Sequence, residues 1–80
     1  MKLNIQRRAD GRGFCCIFFH KGQEYFADLT IMPDWETECM IFKSHNGQFS
    51  FADALGEYCK CGIDLSPDAL RECIEEFISE

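Results

Sequence analysis

The sequence predicts an α+β domain, a four-stranded antiparallel meander followed by two C-terminal helices packed on one sheet face (ββββαα). Three observations carry this expectation. Through the first half, apolar residues alternate with polar ones between turns rich in Gly and Asn. After Ser50 the apolar spacing becomes helical. Finally, Ser66-Pro67-Asp68 places an N-cap hydroxyl, a first-turn Pro and a first-turn acid where helix starts favour them.

The elements follow in order. Lys2 to Arg8 alternates, with Leu3 and Ile5 on one side and Asn4 and Gln6 on the other, as in a half-buried strand. Asp10-Gly11-Arg12-Gly13 supplies a turn into a second strand, Phe14 to His20. Both faces of that strand are apolar: Phe14, Cys16 and Phe18 on one, Cys15, Ile17 and Phe19 on the other. It should lie centrally, covered on both sides or showing one face to a partner. Lys21-Gly22-Gln23 turns the chain into Glu24 to Met32, where Tyr25, Ala27, Leu29 and Ile31 point inward. Glu24, Asp28 and Thr30 point outward, and Phe26 interrupts their polar face. Pro33 to Glu36 breaks the strand, and Cys39 to Lys43 resumes a β pattern before the Asn46-Gly47 turn.

Ser50 with Asp53 three residues on forms a capping-box pattern, and Phe51, Leu55 and Tyr58 share a stripe. These predict a short first helix ending near Cys61-Gly62, with Gly62 in the left-handed position. The last helix, from Ser66 to about Ser79, aligns Leu70, Cys73, Ile74, Phe77 and Ile78 on one face. Asp68, Glu72, Glu75, Glu76 and Glu80 occupy the other.

Eighty residues form one domain, spanning 1–80. With 46% hydrophobic residues and eight Phe, a core can form without metal or disulfide staples. No apolar run approaches the roughly 18 residues of a membrane span, and Met1 to Arg8 lacks the apolar segment of a secretory signal. A cytoplasmic protein with reduced thiols is therefore expected, Cys15, Cys16, Cys39 and Cys73 falling inside apolar patterns.

Charge is divided along the chain. Met1 to Gly22 holds five of the eight Lys+Arg with only Asp10, whereas Gln23 to Glu80 holds three cations and thirteen acids. Such an acidic body repels nucleic acid and anionic membrane and attracts basic protein surfaces. Lys2, Arg7, Arg8, Arg12 and Lys21, interleaved with Phe14 and Phe18, superficially form a stacking platform for nucleic acid, but few phosphates could be neutralised. Cancelling charge on the chain's own acidic helices is the plainer role for those cations.

Catalytic and metal signatures are weak. Cys59-Lys60-Cys61, Cys15-Cys16, His20 and His45 offer ligand types, yet no Cys-x-x-Cys is present, and adjacent strand residues face opposite ways. No metal or cofactor is expected. Cys59 and Cys61, placed at a helix C-terminus amid acids, lack what activates a thiol, so no enzyme activity is expected. Asp34, Glu36 and Glu38 recur at alternate positions without the ligand loop that calcium requires. Among them sits Trp35, the single Trp, either capping the core edge or serving as a rigid anchor.

The functional expectation is a small, acidic, non-enzymatic protein-interaction domain. Asp68, Glu72, Glu75 and Glu76 would steer a basic partner, with Trp35, Phe26 and one face of the Phe14 to Phe19 strand supplying apolar contact and Asp34 and Glu36 completing the site. In general character, short acidic α+β proteins of this build resemble phage and mobile-element products that inhibit host nucleic-acid machinery, some by imitating phosphate arrays. An inhibitor or regulator of a nucleic-acid-handling protein fits that description. A structural homodimer and a cysteine-based metal or redox module are the alternatives.

Overall fold

A two-residue turn sets the central register of the sheet. Lys21 and Gly22 hold φ of 51° and 78°, the backbone whose twist matches the strands on either side. His20 therefore pairs with Gln23, and strand pairing runs on from Phe18 with Tyr25 to Phe14 with Leu29. The computed structural model describes residues 2–49 and 56–80. Five antiparallel strands lie in chain order across one sheet: β1 (Gln6–Arg7), β2 (Gly13–His20), β3 (Gln23–Ile31), β4 (Thr37–Lys43) and β5 (Tyr58–Cys61). One helix, α1 (Pro67–Ile78), follows them. The α+β class and the antiparallel sheet agree with expectation, but the sheet has a fifth strand, and the described C-terminal residues form one helix.

The difference lies at Tyr58 to Cys61. The sequence reading ended a helix there; the chain instead runs as an edge strand beside β4. Ser50, Phe51, Asp53 and Leu55, which carried the helix reading, lie outside the described residues. Without β5, the far edge of β4 would show unpaired backbone groups. Glu57 N donates to Ile41 O at 2.7 Å and Gly62 N to Thr37 O at 2.9 Å, continuing the pairing past both ends of β5. Gly62 does take a left-handed φ of 74°, closing a strand and not a helix. The first strand is likewise shorter than expected, Gln6–Arg7, although Leu3 and Ile5 still pack against the core.

Alternation sorts the sheet into two unlike faces. On one, Cys16, Phe18, Ala27, Leu29, Cys39 and Ile41 are buried under Ala69, Leu70, Cys73 and Ile74 of α1. Leu29, Ile41, Leu70 and Ile74 are fully enclosed, each contributing roughly 1.5–3 kcal/mol by burial. Phe77 closes one end of this layer, its ring 5.0 Å from Tyr25 and 6.2 Å from Phe18 and Tyr58. The cap expected at Ser66 is present: its side chain accepts from Ala69 N at 3.1 Å, with Pro67 and Asp68 in the first turn. Gly13 permits the tight approach of β2 to β3, since a Cβ there would lie 1.8 Å from Leu29 O.

Candidate functional site

No helix is long and apolar enough to cross a membrane among the described residues. Surface chemistry concentrates in three places: the outer side of α1, the tip of the β3–β4 hairpin, and the sheet face that α1 leaves uncovered.

On α1, Asp68, Glu72, Glu75 and Glu76 are all exposed, because the buried stripe of Ala69, Leu70, Cys73 and Ile74 turns them outward. Among the described residues, their one ion pair is Lys60 Nζ with Glu76 Oε2 at 3.1 Å, both half-exposed. The expected neutralisation by N-terminal cations does not occur there. Arg8 is held on the sheet by Asp10 and Asp28, and Arg7 lies over the Phe14 ring at 6.0 Å.

The hairpin tip spans Met32 to Glu36. Met32 N donates to Glu36 O and Trp35 N to Met32 O, each at 2.8 Å, while Asp34 Oδ1 accepts from Glu36 N at 3.0 Å. These bonds hold Trp35 at φ 68°, a left-handed conformation costing a bulky residue roughly 1–2 kcal/mol. Its side chain does not cap the core, being 83% exposed. Thr37, two residues on, donates its hydroxyl to Ile63 O and accepts from Gly62 N through its carbonyl. The segment entering α1 is thereby tied to the tip. Asp34 and Glu36 flank Trp35, and the exposed Asp64 and Leu65 follow Ile63 directly in the chain.

Phe26 stands apart. It belongs to the sheet face opposite α1, with its ring stacked 4.2 Å from Phe49, which also stacks on Phe42 at 5.5 Å. Phe26 and the helix acids thus do not form one surface. At the centre of this face Asp28, only 9% exposed, accepts from Arg8 Nη1 at 2.5 Å through both oxygens. Burial pushes the Asp28 carboxyl up, opposed by the Arg8 guanidinium. The same guanidinium holds the exposed Asp10 carboxyl down at about 2. Hollows of about 320 Å³ and 290 Å³ border the pair, lined by Cys15, Phe26 and Phe49 on one side and by Met32, Met40 and Phe42 on the other. Beyond them Ile17 and Phe19 stand 46% and 65% exposed. The residue type was visible in sequence; the Arg8–Asp28 pairing was not, having no local signal.

The thiols divide between the sheet, the core and the exposed edge strand. Cys15 and Cys16 face opposite ways, as expected, and burial pushes both thiols up. Cys39 and Cys73 face each other inside the core, where their mutual hydrogen bond and burial hold the Cys39 thiol far up. On β5, Cys59 and Cys61 are exposed, and burial together with Glu38 pushes the Cys59 thiol up. Glu38, Cys59 and Cys61 bring their ligand atoms within 4.8 Å of one another; among the described residues neither His20 nor His45 joins such a group.

Comparison of the chain with protein-family models, with curated proteins and with solved structures finds no significant match.

Proposed function

We propose that this chain is a non-enzymatic protein-interaction domain that docks on a basic protein surface through the Trp35 end of the molecule. The observation that carries the reading is Trp35 itself, 83% exposed at φ 68° between Asp34 and Glu36. Large rigid aromatics surrounded by a polar rim supply most of the energy in protein interfaces. Asp34 and Glu36 flank Trp35 as polar neighbours, and Asp64, Asp68, Glu72, Glu75 and Glu76 add exposed negative charge along the segment that enters and forms α1. Charge of this kind acts mainly on the association rate. A regulator or inhibitor of a nucleic-acid-handling protein, whose surface is basic by necessity, fits this chemistry.

Affinity capture from the source cell, run in parallel with the parent chain and with Trp35→Gly, tests it. Gly relieves the backbone at this position, so the variant keeps its fold. A genuine partner is retained by the parent and lost with Trp35→Gly, and Glu72→Lys/Glu75→Lys/Glu76→Lys slows its association by about tenfold or more at low salt. Equal capture by Trp35→Gly, or an unaltered on-rate in the triple variant, refutes the proposal.

A second reading has its own observation. Ile17 and Phe19 lie exposed side by side on β2, which favours a homodimer through this part of the sheet face opposite α1. Sedimentation showing only monomer at high concentration removes it.

A further inference from the structure

The fifth strand turns the Cys59-Lys60-Cys61 spacing into a ligand set. Residues i and i+2 of a strand share a face, so Cys59 and Cys61 point the same way while Lys60 between them points to α1 and pairs with Glu76 at 3.1 Å. Register then adds a carboxylate, because Glu38 of β4 lies directly opposite Cys61. Cys61 Sγ is 4.0 Å from Glu38 Oε2. Both thiols are exposed and Glu38 is half-buried, so an ion can reach all three donors from solvent.

We propose that Cys59, Cys61 and Glu38 form a binding site for a thiophilic divalent cation, zinc(II) being the physiological ion that suits it, with its fourth position open to water or to an incoming ligand. The donor set decides the ion. Two sulfurs exclude calcium and magnesium, which take oxygen ligands, and a carboxylate donor favours zinc over copper(I), which prefers sulfur alone. The spacing agrees with tetrahedral ligation. Zn–S bonds of about 2.3 Å place two sulfurs about 3.8 Å apart, so donor atoms within 4.8 Å of one another close on an ion by small rotations of exposed side chains. Both sulfurs bind as thiolates, so each ion taken up releases two thiol protons to solvent. Met40 lies opposite Cys59 on the same face.

Cobalt(II) is the probe, added to the reduced full-length chain. Expected are intense near-ultraviolet absorption from sulfur-to-cobalt charge transfer, visible bands of tetrahedral strength, saturation at one equivalent, and bleaching on addition of zinc. Cys59→Ser/Cys61→Ser removes the spectrum, Glu38→Gln weakens binding by about tenfold or more, and Cys15→Ser, whose thiol lies elsewhere on the sheet, leaves it unchanged. Circular dichroism confirms that each variant is folded, Cys59 and Cys61 being exposed on the edge strand. Absence of sulfur-to-cobalt absorption in the parent, its persistence in the double-serine variant, or unchanged affinity in Glu38→Gln overturns the assignment.

Discussion

Replacing Arg8 with Met leaves the Asp28 carboxylate buried and alone. In the parent, both Asp28 oxygens accept from Arg8 Nη1 at 2.5 Å, and the residue is 9% exposed. Met keeps an apolar stem of similar length and deletes the charge. Removing one member of a buried pair costs roughly 3–5 kcal/mol. The hollows of about 320 Å³ and 290 Å³ beside the pair admit water, which places the expected loss near the lower bound, about 3 kcal/mol. A domain of 80 residues has roughly 4–12 kcal/mol of total stability. The melting temperature should therefore fall by roughly 12–24 °C. The pH dependence has a definite sign. Burial raises the Asp28 carboxyl above its ordinary 3.8 in the folded chain, and without Arg8 it rises further. An acid with a raised folded pKa favours folding while protonated and opposes it as pH climbs through that value. Asp10, held at about 2 by Arg8, acts in the same sense: its stabilisation in the parent is present above 3.8 and disappears toward pH 2. The deficit of Arg8→Met is accordingly full at pH 7 and narrows in the acid range. Urea unfolding followed by circular dichroism at pH 7 and pH 4 measures it. A deficit below about 1 kcal/mol, or one equal at both pH values, refutes the reasoning. The double variant Arg8→Met/Asp28→Leu should recover most of the loss, since an apolar pair often replaces a buried ion pair without penalty.

Other substitutions probe separate links. Gly13→Ala drives a methyl to 1.8 Å from Leu29 O; parting β2 from β3 costs about 3 kcal/mol, read as a lower urea midpoint, and a neutral result contradicts the close approach. Ser66→Ala deletes the hydroxyl that accepts from Ala69 N at 3.1 Å and should cost about 1 kcal/mol, with the earliest loss of amide protection in the first turn of α1. Trp35→Gly, at φ 68°, should raise stability by about 1 kcal/mol in the same melting assay; a destabilised variant means that the indole packs on something in solution.

The strands β2, β3 and β4 were legible because each is a short run rich in apolar residues, alternating in β3 and apolar on both faces in β2, bounded by turns such as Lys21-Gly22 and Asn46-Gly47 that demand left-handed backbones. The start of α1 was legible for the same reason, Ser66, Pro67 and Asp68 each acting within four residues. β5 was not. Tyr58-Cys59-Lys60-Cys61 is short enough to fit either period, and the stripe of Phe51, Leu55 and Tyr58 tipped the reading toward helix. What decides it is the free edge of β4, a partner far away in the chain. The same holds for the surface. Arg8 meets Asp28 because Gln6 pairs with Cys15 and Cys15 with Asp28, and Glu38 meets Cys61 through the β4–β5 register. Chemistry assembled by register becomes readable only after the strands are assigned.

Solubility alone is the rival account of the acids on α1, and Trp35 separates the two. A domain this small gains from net charge, and Glu72, Glu75 and Glu76 would serve that purpose anywhere on the surface. Solubility gives no reason to hold a large apolar ring 83% exposed, which works against it. Nor does it explain an indole at φ 68°, where Gly or Asn would be unstrained. Both costs fall between Asp34 and Glu36, while the N-terminal cations Arg7 and Arg8 are engaged elsewhere by Phe14, Asp10 and Asp28. An aromatic tip flanked by exposed carboxylates is the arrangement that a basic partner would select, and salt should slow that association far more than it speeds release.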